Sequence, residues 1–124
     1  MPTDIRVIHA SDFIIATPQG KLDFERAKKL LVDIMSASAP LVDYEIIVDT
    51  RHAQSELTAL DLWQLVIEIF NFRLPLARKT AVLCPTERFD KAEFFALCAK
   101  NRGFLVMPFI SFEDAIEWLI AKEP

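Results

Sequence analysis

The sequence predicts an α/β protein: a single domain with a mostly parallel sheet, an N-terminal antiparallel hairpin and flanking helices, in the order ββαβαβαβα. Three observations predict it. Short β-branched or apolar runs (Tyr44 to Asp49, Thr80 to Cys84, Phe104 to Phe109) alternate with segments of helical periodicity, and that alternation builds βαβ units around a parallel sheet. Two further strand-like runs open the chain, separated only by the short polar turn Ser11-Asp12. Finally, 124 residues that are 52% hydrophobic and 26% charged suffice for one packed core. No repeat, low-complexity tract or linker interrupts them, so residues 1–124 read as one domain.

Taken in order, Ile5 to Ala10 alternates Ile5, Val7 and His9 against Arg6, Ile8 and Ala10, and Phe13 to Thr17 returns as the second strand of a hairpin. Pro18 to Gly20 closes that strand. Asp23 is placed to cap a helix whose Phe24, Ala27, Leu30, Leu31, Ile34 and Met35 share one face, with Arg26, Lys29 and Asp33 opposite. Ala39-Pro40 ends it. The run Tyr44 to Asp49 has the composition of a buried parallel strand. After a polar loop, Thr50 to Glu56, Thr58 and Asp61 stand at capping-box spacing before a second helix that runs to about Phe72 and stops short of Pro75. The strand Thr80 to Cys84 follows, then Pro85-Thr86 and a third helix started by Asp90 with Glu93 three residues on. Gly103 sits where a left-handed helix terminus is expected. Phe104 to Phe109 is the last strand, and Ser111 with Asp114 opens a final helix through Ile120.

Composition excludes several function classes. Two glycines cannot build a glycine-rich phosphate loop, and a formal charge of −4 argues against nucleic acid as the main partner. The N-terminus lacks the apolar run of a secretory signal, and no stretch reaches the roughly 18 uninterrupted apolar residues of a membrane span. The greasiest segment, Leu57 to Phe72, is broken by Asp61, Gln64, Glu68 and Asn71. A cytoplasmic protein without stable membrane insertion is expected. Cys84 and Cys98 do not form a Cys-x-x-Cys pair, and a disulfide between them stays open.

Four segments resemble the SpoIIAA-like family, relatives of the STAS domain of anti-sigma-factor antagonists. They are Gly20-Lys21-Leu22-Asp23, the strand Tyr44 to Asp49 running into Thr50-Arg51, the stretch Ala77 to Arg88, and Phe112-Glu113-Asp114-Ala115-Ile116-Glu117-Trp118-Leu119. The resemblance spans nearly the whole chain and implies a small non-enzymatic module that binds another protein or, in some relatives, a lipid-like or other small ligand. STAS antagonists carry Asp-Ser-Ser-Gly where the helix after the third strand begins, and the second serine accepts a phosphate. Counting from Asp49, the equivalent stretch is Leu57-Thr58-Ala59-Leu60. Thr58 falls on the first serine, Ala59 on the second, and the glycine is absent. The resemblance therefore implies a lost phosphoswitch, with Thr58 and Ser55 as substitute acceptors beside their plain roles as cap and loop residues.

Two regions stand out as candidate binding surfaces. In the second helix, Asp61, Gln64, Glu68 and Asn71 form one narrow polar stripe, and the rest of the circumference is apolar. Leu62, Leu65, Val66 and Ile69 can lie on the sheet. That leaves Trp63, Ile67, Phe70 and Leu74 either beneath neighbouring helices or as a surface for a protein partner, a homodimer or a ligand. The second region is the crevice at the carboxyl ends of the third and fourth strands, where open α/β sheets gather ligands. Asp49, Arg51, His52, Thr86 and Arg88 converge there, and Arg51, His52 and Arg88 beside two helix N-termini suit a small anionic or lipid-like ligand. Against this, Arg51 can pair with Asp49 or Glu56, and Arg88 with Glu87 or Asp90.

Catalytic patterns are weaker. Cys84 and Arg88 are two positions too close for a phosphatase loop, which needs five residues between its cysteine and arginine, and Pro85 removes an amide that loop needs, so Cys84 reads as a small buried residue. Asp49 ends a central strand, but the response-regulator pattern fails: a hairpin follows the first strand, and Met107-Pro108-Phe109 supplies no lysine. His9 reads as a core or edge histidine. Neither histidine has a second ligand at zinc spacing, so no metal and no cofactor is expected. Arg73, Arg78 and Lys79 read as solvated surface.

Overall fold

The structure, a computed structural model, describes residues 4–8, 12–41, 44–71 and 79–121. His9, Ser11, Arg73, Leu74 and Arg78 lie outside the described residues. The elements are β1 (Asp4–Ile8), β2 (Phe13–Thr17), β3 (Gly20–Leu22), α1 (Phe24–Ser38), β4 (Glu45–Asp49), β5 (Ala53–Ser55), α2 (Ala59–Asn71), β6 (Lys79–Leu83), α3 (Phe89–Lys100), β7 (Leu105–Phe109) and α4 (Phe112–Ile120). Five strands form one sheet in the order β1-β2-β4-β6-β7. The β1/β2 hairpin is antiparallel and every other pair is parallel. Asp12, in the hairpin turn, takes a left-handed φ of 57°, which Asp tolerates better than most residues.

From β2 the chain steps one strand at a time toward β7. Right-handed crossovers repeated in one direction place their helices on one face, so α1, α2 and α3 share a side. Ala16, Ile46 and Val48 of the sheet meet Leu30, Ile34, Leu62 and Leu65 there, while Val66, Ala99 and Phe104 extend the layer toward β7. Among the described helices, α4, which follows the last strand, is the one that crosses to the opposite face. It packs Ala115 and Leu119 on Phe13, Ile47, Ala81 and Leu83.

The caps agree with the sequence. Asp23 accepts a bond from the Arg26 amide at 2.9 Å, and Ser111 Oγ accepts from the Asp114 amide at 3.3 Å. Gly103 adopts φ 90° after α3, and the Phe104 amide returns to the Ala99 carbonyl at 3.0 Å. Three expectations need correction. Gly20 opens a short strand rather than closing one: β3 pairs in parallel with β5, inside the segment read as a polar loop. Three-residue strands carry no alternation to read, and these two form through each other. Asp90 does not start α3. A 3-10 turn, Thr86–Arg88, leaves extended Pro85 and leads directly into the helix, and Asp90 accepts from the Lys91 amide instead. Lys79, read as solvated surface, is buried at 7% exposure because its ammonium closes the end of α4, donating to the Trp118 and Ala121 carbonyls.

Candidate functional site

The carboxyl ends of β4 and β6 are tied together through Thr50. Its amide and hydroxyl both donate to the Leu83 carbonyl, at 2.8 and 2.6 Å. Strand alternation sends Ile46 and Val48 toward α1–α3 and Asp49 to the other side. Asp49 is buried, and Arg51 folds back on it: Nε meets Oδ1 at 2.9 Å, Nη2 meets Oδ2 at 2.8 Å, and the Arg51 amide meets Oδ1 at 3.1 Å. Burial opposes ionisation of Asp49, but the side-chain and backbone hydrogen bonds from Arg51 outweigh it and hold the carboxyl below its ordinary value. The side-chain hydrogen bonds to Asp49 in turn raise the Arg51 pKa. Of the two partners open to Arg51, Asp49 is the one it takes.

Arg88 behaves differently. Its guanidinium reaches 38 positions back to donate to the Thr50 carbonyl at 2.7 Å, and Lys91, one helical turn on, donates to the Leu57 carbonyl at 2.8 Å. Among the described residues, neither cation has a carboxylate within ion-pair distance. His52 and Thr86 are exposed on the flanking loops. The five candidate crevice residues therefore divide: Asp49 and Arg51 satisfy each other, His52 and Thr86 stand in solvent, and Arg88 turns inward beside Thr50.

Arg88 faces a cavity of about 170 Å³ between the sheet and the three helices. Thr50, Ser55, Arg88 and Lys91 line one end, and Leu30, Ile34, Leu65, Val82 and Phe95 line its middle. Sequence reasoning missed Lys91 and the cavity itself. Cys84 lines it too, buried, with burial raising its thiol pKa, Arg88 lowering it and Glu87 adding to the rise; the net shift is upward. Cys84 and Cys98 are both free.

In α2, Leu62, Leu65 and Val66 are buried against the core as expected, while Trp63 stays 46% exposed and Ile67 is half-buried. Leu60, one turn before Trp63, is 67% exposed. Leu74 and the side chains of Ile69 and Phe70 lie outside the described residues. Thr58 and Asp61 form the reciprocal box: the Asp61 amide donates to Thr58 Oγ1 at 3.1 Å, and the Thr58 amide to Asp61 Oδ2 at 3.0 Å. Ser55 Oγ accepts from the Leu57 amide at 3.3 Å.

Among the described residues, no three His, Cys, Asp or Glu side chains gather where they could hold a metal ion. No described helix is long and apolar enough to cross a membrane.

No family model and no curated protein matches the chain. A solved structure does: the anti-sigma factor antagonist SpoIIAA in its unphosphorylated form, 15% identical, with 95% of this chain and 97% of that chain covered and a TM-score of 0.51. At that identity the likeness is one of architecture. The five-stranded sheet opened by a hairpin, with its crossover helices on one face, is the SpoIIAA-like, STAS-related α/β fold.

Proposed function

We propose that the chain is a non-enzymatic regulatory module of the cytoplasm, which acts by binding a partner protein or a second copy of itself through the outward face of α2. The observation that carries this reading is the apolar stripe on that helix. Leu60, Trp63 and Ile67 follow one another at i, i+3 and i+7, so they share a side, and Phe70 and Leu74 continue the spacing in the sequence. Trp63 is the natural anchor, because exposed tryptophans concentrate binding energy when a partner desolvates them. The fold supports a regulatory role, since the matching solved protein is itself named an anti-sigma factor antagonist. In this reading the phosphoswitch is lost: Thr58 and Ser55 serve the cap and the turn before α2, and Ala59 has no hydroxyl.

Native mass spectrometry of protein purified gently from its own cells tests the proposal. The unaltered chain is expected as a complex or dimer, and Trp63→Asp as a folded monomer. A complex that survives Trp63→Asp overturns the assignment of the face. A monomeric unaltered chain overturns the interaction reading itself.

A further inference from the structure

Among the described residues, α4 covers only part of the sheet face on which it packs. Ala115 and Leu119 rest on Phe13, Ile47, Ala81 and Leu83, from β2, β4 and β6, so α4 is centred on β4. Neighbouring strands lie about 4.8 Å apart, which puts β7, two strands from β4, about 10 Å to one side. Packed helices keep their axes about 8–10 Å apart. A second helix laid over β7 therefore fits beside α4. What β7 presents there is apolar and open. Leu105 and Met107 sit opposite Lys79 and Ala81, on the α4 face, and are 42% and 40% exposed. Half-buried Trp118 walls the furrow. Over β1, the equivalent position on the other side of α4, exposed Arg6 breaks the apolar surface.

Two observations select the occupant. First, β7 is an edge strand that resists strand addition. The Cys84 amide donates to the Phe109 carbonyl at 2.9 Å, so Phe109 turns its main chain toward β6 and Pro108, one position earlier, turns its own to the open edge. Proline has no N–H to offer an added strand, whereas a helix docks through side chains and needs none. Second, the rim is acidic. Asp114 lies one turn before Trp118 on the same side of α4, with Glu117 one turn further round from Asp114. Both acids are exposed, as is Glu113, and α4 carries no Lys or Arg. Among the described residues, none of the three acids has an ion-pair partner. Lys100 and Arg102 lie beyond the other end of the furrow, before β7 begins. A two-fold contact across α4 with a second copy would set these acids against themselves, and an anionic membrane surface would repel them.

We propose that the furrow between α4 and β7 docks a basic amphipathic helix of a partner protein, its apolar stripe on Leu105, Met107 and Trp118 and its lysines or arginines on Asp114 and Glu117. The furrow and the outward face of α2 lie on opposite sides of the sheet, so occupation of one leaves the other open.

Three synthetic amphipathic helices of about five turns, sharing one leucine stripe but with polar faces of lysine, glutamine or glutamate, provide the test by calorimetric titration and heteronuclear NMR on the full chain. The lysine peptide is expected to bind one-to-one, to shift the amides of Met107 and Glu117, and to bind at least about tenfold more tightly than the glutamine peptide. The glutamate peptide is expected not to bind. Asp114→Lys with Glu117→Lys is expected to reverse that order. Met107→Lys, at an exposed position, is expected to weaken the lysine peptide at least about tenfold, and it decides alone if the double variant fails a thermal melt. Trp63→Asp, across the sheet, is expected to change the affinity less than about twofold. Failure of the lysine peptide to bind the unaltered protein overturns the proposal, as does binding that the furrow variants leave undiminished or that Trp63→Asp abolishes. Self-association that Met107→Lys removes and Trp63→Asp does not would give the furrow to a second copy and overturn it equally.

Discussion

Lys79 lies beneath the end of α4 with its ammonium 2.9 Å from the carbonyl of Trp118 and 5.2 Å from the centre of the Trp118 ring. A second bond, at 2.8 Å, goes to the Ala121 carbonyl. One cation thus satisfies helix-terminal acceptors, meets the negative end of the helix dipole and stacks on an aromatic face. The contact anchors α4 on its side of the sheet, where Trp118 also packs against Phe109 at 5.7 Å between ring centres.

Lys79→Met keeps most of the apolar stem and removes the charge and the donors. It is expected to destabilise the fold by about 1–3 kcal/mol, read from the urea midpoint. A loss below about 0.5 kcal/mol would mean that water replaces the ammonium without penalty.

Asp49 and Arg51 predict an acid-dependent loss of stability. Because the folded-state pKa of Asp49 lies below the ordinary 3.8, the unfolded chain binds the proton more readily. The contribution of Asp49 is therefore complete above that value and is lost as pH falls through the folded one. Asp49→Asn should flatten the acid limb of a plot of urea midpoint against pH. Parallel limbs in the two proteins would show that the pair adds nothing.

The capping box predicts that Thr58→Ala costs about 1 kcal/mol, and that Thr58→Ser recovers most of it. Chemical denaturation of the three proteins measures both effects. Equal losses for alanine and serine would argue that the threonine methyl, not the hydroxyl, matters.

Cys84 predicts selective chemistry. A buried thiol with a raised pKa is a poor nucleophile, because the thiolate is the reactive form. Iodoacetamide at mild alkaline pH is expected to alkylate Cys84 at least about tenfold more slowly in the folded protein than in urea, with half-buried Cys98 reacting first. Mass spectrometry of the digested peptides reports each site, and fast labelling of Cys84 would contradict the burial.

Much of this architecture was legible in the sequence because its signals are local. Asp23, Thr58 with Asp61, Ser111 and Gly103 each mark a helix end through bonds to residues within a few positions, and composition marks β4 as an inner strand. The candidate site was legible only in part. Arg51 and Asp49 are two residues apart, so their pairing was among the alternatives. The reach of Arg88 to Thr50 depends on how β4 and β6 pair, and no spacing encodes it. Lys91 lacked a signal altogether: an exposed lysine in a helix is ordinary until the helix is seen standing over a cavity.

By itself, then, the sequence determined the α/β class, the order of the main elements and the inward faces of α1 and α2, since periodicity and capping act along the chain. Tertiary structure alone decided that three helices share one face, that β3 and β5 find each other, that Lys79 is buried and that a cavity opens beside Arg88. These depend on how volumes fill and how distant backbones align, and such quantities exist only once the whole chain has packed.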